Sequence, residues 1–203
     1  MVFYDHPECP YATKVRIVLV EKDLSFETET VDLSAGEHHG KEFLRLNPFG
    51  RVPVLVDEGV VIYESAIINE YLNDEYPHPP LLPEESGERA QARILEDFAD
   101  HAFTLPSMAI ERELAKRPAE RDSRRMASGR QVLTKTLSML ETKLEGSDYL
   151  AGEFSLADVA FATTALNLNK HGIKVETTLP HVRGWIARLT ERPSVGPVVR
   201  MVA

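Results

Sequence analysis

A proline-rich stretch constrains the fold of this chain more than any other feature. It reads Tyr76-Pro77-His78-Pro79-Pro80-Leu81-Leu82-Pro83. Its prolines remove backbone donors and restrict φ, so neither a helix nor a central strand can pass through it. We therefore predict a linker over residues 77–87, between one domain of residues 1–76 and a second of residues 88–203.

Before the linker, the spacing of apolar residues alternates between strand and helix. A strand, a helix and a second strand in this order favour parallel pairing of the two strands. The turn Asp57-Glu58-Gly59 between two apolar runs indicates a hairpin. The predicted strands are residues 1–4, 25–31, 52–56 and 60–63, and the predicted helices are residues 12–22 and a segment from Ser65 that ends before Pro77.

After the linker, all the periodic segments have helical spacing. Pro106 should kink the first of them, and Ser155 with Asp158 forms a capping-box-like helix start. The predicted helices are residues 88–115, 122–144, 155–170 and 179–190. The residues alone thus predict a small mixed α/β domain followed by an all-helical domain.

Composition excludes several functional classes. The chain has 32 acidic and 23 basic residues, and the acidic excess lies in residues 1–80. A nucleic-acid groove needs clustered positive charge, and acidic neighbours dilute the only basic cluster, which includes Arg121 and Arg125. The apolar runs are too short to cross a bilayer, and we expect no signal peptide. A single cysteine, Cys9, favours a reducing, cytoplasmic location.

Cys9 is the strongest candidate for a reactive group. It lies between the first predicted strand and the first predicted helix, followed by Pro10, which suits a first helical turn. Unpaired N–H groups at a helix N-terminus favour an anion, so we expect a lowered thiol pKa and more of the attacking thiolate. The alternative is a small apolar residue in a loop.

Three further motifs are weaker candidates. In Arg51-Val52-Pro53, a cis bond before the proline would turn the Val52 backbone outward to pair with an extended ligand; the alternative is a proline that merely starts a strand. Glu64-Ser65 opens a helix, where serine either caps or binds a ligand. His38-His39 lies in a loop flanked by glycines, where contact with an anion is the better functional interpretation and solvated histidines the alternative; we expect no metal.

The order of these motifs resembles that of cytosolic glutathione transferases over nearly the whole chain. The resemblance rests on Cys9-Pro10-Tyr11-Ala12, on residues 31–38, on Leu46-Asn47-Pro48-Phe49-Gly50-Arg51-Val52-Pro53-Val54-Leu55, on Tyr63-Glu64-Ser65-Ala66-Ile67 and on Glu191-Arg192-Pro193. It implies a thioredoxin-like N-terminal domain, an all-helical C-terminal domain, glutathione as cosubstrate and a homodimer.

The resemblance also implies residue roles. The Val52 backbone, before Pro53, would pair with the cysteinyl part of glutathione, Glu64 would take its ammonium group, and Ser65 would take its γ-glutamyl carboxylate. His38 and His39 match a phi-class loop that contacts the glycyl carboxylate; here His39 replaces a lysine. Tyr11 and Arg51 complete the expected glutathione site, Arg51 by offsetting the acidic field of this domain.

Cys9 matches the catalytic position of the family. Cys-Pro-aromatic-Ala resembles the omega, lambda and dehydroascorbate reductase classes, which form a mixed disulfide with glutathione. Conjugation of glutathione to a small electrophile stays open, because Tyr4 or Tyr11 offers a hydroxyl. The second substrate, a small hydrophobic molecule or a disulfide, is expected in a cleft between Tyr11 and the long helices. The residues expected there are His101, Phe103, Met108 and Arg112.

A second resemblance leads to a different function. Residues 15–22 and the proline-rich stretch are similar to stringent starvation protein A, which keeps the glutathione transferase fold but is a non-enzymatic partner of RNA polymerase. In that alternative the contact surface is His78, Pro79 and Pro80. The presence of Cys9, Glu64 and Ser65 favours the enzyme, because a pure binding protein needs none of them.

Overall fold

The computed structural model describes residues 1–201. The chain divides into two compact units. One contains Met1–Pro80 and the chain from Pro197 onward, and the other contains Leu81–Gly196. We call them the N-terminal unit and the helical unit.

The N-terminal unit is built on a four-stranded sheet with the order β2-β1-β3-β4. As predicted, β1 and β2 pair in parallel, with Phe3 opposite Thr28, and β3 and β4 form an antiparallel hairpin. The strands are β1 (Val2–Asp5), β2 (Glu27–Thr30), β3 (Val54–Asp57) and β4 (Val60–Tyr63), and the helices are α1 (Pro10–Glu21), α2 (Lys41–Leu46) and α3 (Ser65–Glu75).

The hairpin turn follows directly from its two residues. Glu58 and Gly59 both have positive φ, 47° and 85°. A two-residue turn with positive φ at both positions has a backbone twist that matches the right-handed twist of the flanking strands. Glycine suits the second position because it adopts positive φ without steric cost. The turn sets the register that places Leu55 opposite Ile62, and Leu55 lies fully buried in the core.

The helical unit contains five helices of at least ten residues among the described residues. They are α4 (Ser86–Ala99), α5 (Leu105–Leu114), α6 (Ser123–Lys143), α7 (Leu156–Ala165) and α8 (Pro180–Glu191). A short helix, α9 (Gly196–Arg200), follows them along the chain, and from Pro197 onward it belongs to the N-terminal unit. The core of the unit includes Phe103, Phe161 and Trp185, which are fully buried and pack edge to face.

The expected irregularity near Pro106 lies on its N-terminal side. Asp100–Thr104 is a π-helical segment between α4 and α5. Pro106 has no N–H with which to reach the carbonyl group of Ala102, four residues earlier. That carbonyl oxygen instead accepts a hydrogen bond from the Thr136 hydroxyl at 3.2 Å, so α6 supplies the donor that the proline removes.

The predicted capping box at the start of α7 is present. Asp158 is fully buried and accepts from the backbone N–H and hydroxyl of Ser155, each at 3.0 Å. It also accepts from the Leu150 N–H at 3.0 Å and the Trp185 indole N–H at 2.8 Å. Burial raises the pKa of Asp158 to about 6, although the hydrogen bonds from these donors lower it. The prediction that this helix reaches residue 170 was wrong, because α7 ends at Ala165 and turns follow.

Candidate functional site

Cys9 lies at the start of α1, as the sequence predicts. It is the residue before the helix, with extended φ and ψ, and Pro10 occupies the first helical position. Its carbonyl oxygen accepts from the Thr13 N–H at 2.9 Å and the Thr13 hydroxyl at 3.1 Å. The half-buried thiol lies 3.9 Å from the carbonyl oxygen of Val52, to which it donates.

The expectation of a lowered Cys9 pKa was wrong. Burial raises the pKa of the Cys9 thiol, because the thiolate loses hydration in this half-buried position. The helix N-terminus acts in the predicted direction, since the N–H groups of Ala12 and Tyr11 lower the pKa, but they do not outweigh desolvation. The free thiol is therefore largely protonated at neutral pH, in agreement with its hydrogen bond to Val52.

The loop before β3 carries the backbone that faces Cys9. The Val52–Pro53 peptide bond is cis, and Val52 is buried. Asn47, also buried, donates from Nδ2 to the Arg51 carbonyl oxygen at 2.8 Å and accepts from the Phe49 N–H at 3.0 Å. These two hydrogen bonds set the turn that delivers Val52 to the thiol, while Arg51 stays exposed.

The histidine loop packs against the same turn through Gly50. Gly50 has φ +59°, and a Cβ there would lie 2.9 Å from the His38 carbonyl oxygen and 3.0 Å from Nδ1 of His39. Any side chain at this position would thus push the two segments apart. The rings of His38 and His39 are tilted with centroids 3.9 Å apart.

His38 carries a polar atom that suits a ligand. Its Nδ1 is buried and has no hydrogen-bond partner among the described residues. Burial lowers the His38 pKa, and repulsion from His39 and then His6 lowers it further. An anion at this loop would relieve both effects, because it would give the ring a partner and offset the positive charge.

Glu64 and Ser65 lie at the junction of β4 and α3. Glu64 is exposed and has φ +71°, a conformation that is strained for a residue with a side chain. Ser65 is the first residue of α3 and is buried. Backbone strain of this kind is concentrated at functional sites, which supports a role for this junction beyond a helix cap.

A buried cluster joins several of these elements. It consists of Val31, Phe43, Val52 and Val54, and Tyr4, Cys9 and Tyr63 pack against it. Tyr11 is half-buried on α1, and the ammonium group of Lys14 lies 5.5 Å from its ring centroid. The structure thus brings Cys9 to Val52 and the histidine loop to Gly50.

The expected second-substrate residues all lie in the helical unit. His101 is exposed on the π-helical segment, where its Nδ1 lies 2.9 Å from the Asp97 carbonyl oxygen, and Asp97 raises the His101 pKa. Phe103 is fully buried against Phe161, so it belongs to the core of the unit and has no surface to offer a substrate. Met108 is half-buried and Arg112 exposed, both on α5.

The proline-rich segment is held by buried polar groups. The ammonium group of Lys22 donates to the carbonyl oxygens of Tyr76 and Pro79, each at 2.7 Å, and the Tyr76 hydroxyl donates to Asp57 at 2.8 Å. His78, Pro79 and Pro80 are exposed, and the His78–Pro79 bond is cis.

Other residues around Cys9 were not foreseen from sequence. Thr13, Arg16 and Asp5 form hydrogen bonds that end at the Cys9 carbonyl group, and Asn47 shapes the loop before β3. The available signal for Arg16 was a lone charged residue between the apolar positions Val15 and Ile17 on a predicted helix.

Comparisons with known proteins agree with this architecture. Models of the glutathione S-transferase N-terminal and C-terminal domains match residues 1–74 and 98–193. Glutathione S-transferase 3 of Zea mays is 32% identical over 98% of this chain and 93% of that protein. A stringent starvation protein A homolog of Pasteurella multocida is 31% identical over 91% of this chain and 82% of that protein.

A solved structure gives the same result. The glutathione transferase URE2P6 from Phanerochaete chrysosporium, in complex with oxidized glutathione, has a TM-score of 0.87 at 26% identity, covering 100% of this chain and 97% of that one. In residues 1–201, no helix combines the length and apolar character needed to cross a membrane. The thioredoxin-like and all-helical domains predicted above are confirmed, and the chain belongs to the glutathione S-transferase family.

Proposed function

We propose that the protein is a cytoplasmic, homodimeric glutathione-dependent thiol transferase in which Cys9 is the nucleophile. The observation that carries the proposal is the contact of the Cys9 sulfur with the Val52 carbonyl group at 3.9 Å. If the cysteine residue of an extended peptide paired with the Val52 backbone, its sulfur would lie next to the sulfur of Cys9. The complex of a related transferase with oxidized glutathione supports glutathione as that peptide.

The N-terminal unit offers groups of the right chemistry for each end of glutathione. Glu64 supplies a carboxylate for the ammonium group, and the α3 N-terminus at Ser65 supplies donors for the γ-glutamyl carboxylate. The unpartnered Nδ1 of His38 and the ring of His39 suit the glycyl carboxylate. Tyr11 and Arg51 remain the other proposed glutathione contacts.

The proposed reaction has two exchange steps. The Cys9 thiolate attacks the glutathione sulfur of a mixed disulfide, the Cys9–glutathione S–S bond forms, and the old S–S bond breaks to release a thiolate that takes up a proton. A second glutathione thiolate then attacks the bound glutathione sulfur, which frees Cys9 and releases glutathione disulfide. Because Cys9 is the only cysteine, no second thiol of the same chain can resolve the intermediate.

The first experiment is intact mass spectrometry after incubation with glutathione disulfide, with Cys9→Ser as the control variant. We expect one glutathione adduct on the wild-type chain and none on Cys9→Ser. Saturable binding of reduced glutathione without an adduct would overturn thiol transfer and favour conjugation through the hydroxyl of Tyr4 or Tyr11.

The proposed second-substrate residues need a separate test, the KM for the disulfide substrate. We expect it to rise in each of three variants, His101→Ala, Met108→Ala and Arg112→Ala.

A second candidate function is that of an interaction protein. The observation in its favour is the exposed His78-Pro79-Pro80 segment, which Lys22 holds in place, together with a relative named as a stringent starvation protein A homolog. Its test is a pull-down with RNA polymerase, in which replacement of His78, Pro79 and Pro80 should abolish capture. Capture that survives this replacement would exclude the segment as the contact.

A further inference from the structure

A chain of hydrogen bonds connects the end of β1 to the carbonyl group of Cys9. The guanidinium of Arg16 donates from Nε to Oδ2 of Asp5 at 3.1 Å, and Nη2 contacts the same oxygen. Nη1 of Arg16 donates to the Thr13 hydroxyl oxygen at 3.5 Å. The Thr13 hydroxyl in turn donates to the Cys9 carbonyl oxygen at 3.1 Å.

The charge pair in this chain is removed from water. The side chains of Asp5 and Arg16 are only 5% and 13% exposed. The second carboxylate oxygen of Asp5 is buried and has no hydrogen-bond partner within the described residues. Opposite charges in such surroundings are screened weakly, so each still acts on groups a few ångströms away.

The two charges act on the Cys9 thiol in opposite directions. Burial and the N–H groups of Ala12 and Tyr11 act most on the pKa of the thiol; beside them, Asp5 on β1 raises this pKa and Arg16 on α1 lowers it. The loop before β3 adds the neutral carbonyl group of Val52. While the pair is intact the two effects oppose each other, and loss of either partner would leave the other uncompensated.

We propose that Arg16 is a positioning residue for the chemistry of Cys9: it offsets the buried Asp5 carboxylate and, through Thr13, holds the Cys9 carbonyl group in place. This role rests on the proposed function of Cys9 as a nucleophile. Its electrostatic part is measurable without glutathione, because alkylation of a lone cysteine reports on one thiol.

The test is the pH dependence of Cys9 alkylation by iodoacetamide, followed by intact mass. For Arg16→Gln we expect a higher midpoint and, at neutral pH, alkylation slower by about two- to threefold, less than the tenfold that one pKa unit would give. For Asp5→Asn we expect the opposite, a lower midpoint and faster alkylation. Arg16→Lys, which keeps the charge, should restore most of the wild-type profile.

Removal of one partner of a buried ion pair destabilises proteins, so folding must be controlled. The double variant Asp5→Asn/Arg16→Gln removes both charges and should return the midpoint close to wild type. Arg117→Gln is the matched control, since it breaks an exposed arginine–glutamate pair with Glu120 and should leave the profile unchanged. Circular dichroism of each variant checks that it is folded.

The outcomes separate this inference from the proposed function. If folded Asp5→Asn and folded Arg16→Gln both keep the wild-type midpoint, the inference is overturned. A shift of Asp5→Asn and Arg16→Gln in the same direction would overturn it as well. If the midpoints shift as expected but glutathione disulfide forms no adduct, the proposed thiol transfer fails while the electrostatic role of Arg16 stands.

Discussion

The thiol of Cys9 and the carbonyl oxygen of Val52 lie 3.9 Å apart, although 43 positions separate the two residues in the sequence. The thiol is the donor, so the contact stabilises its protonated form. It also marks the place where an extended peptide paired with Val52 would meet the sulfur. The same two residues thus connect the protonation state of the free protein with its proposed chemistry.

Alkylation of Cys9 should be slower in the folded protein than in the denatured chain at neutral pH. Burial raises the pKa of the thiol, and only the thiolate reacts, so the folded profile should have its midpoint at higher pH. Iodoacetamide kinetics with and without denaturant measure both profiles on the same cysteine. An equal or lower midpoint in the folded state would contradict this prediction.

Ser65→Ala should weaken the binding of reduced glutathione by about tenfold or more, because a hydrogen bond to a charged group contributes about 1.5–3 kcal/mol. Calorimetric titration measures the change. Ser86→Ala is the matched control, since Ser86 also begins a helix but lies in the helical unit. Unchanged affinity in Ser65→Ala would remove Ser65 from the proposed site.

Glutathione affinity should rise as the pH falls from neutral towards mildly acidic values. The His38 pKa is lowered from its ordinary value, so the ring is neutral at neutral pH and gains its charge, and its attraction for the glycyl carboxylate, only on acidification. Titrations across this range should show the effect in the wild type but not in His38→Gln/His39→Gln. His78→Gln, on the exposed segment, should behave as the wild type.

Asp158→Asn should destabilise the protein by about 2–3 kcal/mol, because its amide NH2 group would face buried donors whose hydrogen bonds a carboxyl oxygen now accepts. The pKa of Asp158 is raised to about 6, so its protonated form is favoured by folding. The stability that comes from this shift is present below the unfolded pKa and is lost as the pH rises through about 6. Urea denaturation at several pH values measures the difference in free energy of unfolding between the wild type and Asp158→Asn. This difference should shrink as the pH rises from about 4, the ordinary carboxyl pKa, to about 7, above the raised one. A difference that grows with pH would refute the assignment.

Thr136→Val should reduce the free energy of unfolding by about 1–2 kcal/mol, because the Ala102 carbonyl group loses its partner. In the Pro106→Ala background the cost should be smaller, since an alanine at this position restores the N–H that can reach Ala102. The exposed Thr134→Val serves as control. A double-mutant cycle measures the coupling between the two sites, and zero coupling would argue against the compensation.

Local patterns predicted the elements of the fold well. The hairpin at Glu58-Gly59 and the capping box of Ser155 and Asp158 each depend on neighbours in sequence. The parallel pairing of β1 and β2 follows from the order strand, helix, strand along the chain. The kink expected at Pro106 takes the form of the π-helical segment Asp100–Thr104. What local patterns did not predict is the donor that compensates for the proline, the hydroxyl of Thr136 on α6, nor that α7 ends at Ala165 and not at residue 170.

The sequence by itself determined which groups are available: a cysteine before a helix that starts with proline, a Val-Pro dipeptide before a strand, and a Glu-Ser pair at a helix start. Tertiary structure alone decided how those groups behave. Burial reversed the expected shift of the Cys9 pKa. The packing of the helical unit placed Phe103 in the core, where the sequence had suggested a substrate contact. The fold also brought Asp5, Thr13 and Arg16 to the carbonyl group of Cys9. The physical reason is that desolvation and Coulomb interactions depend on distance in space, which a linear pattern does not contain.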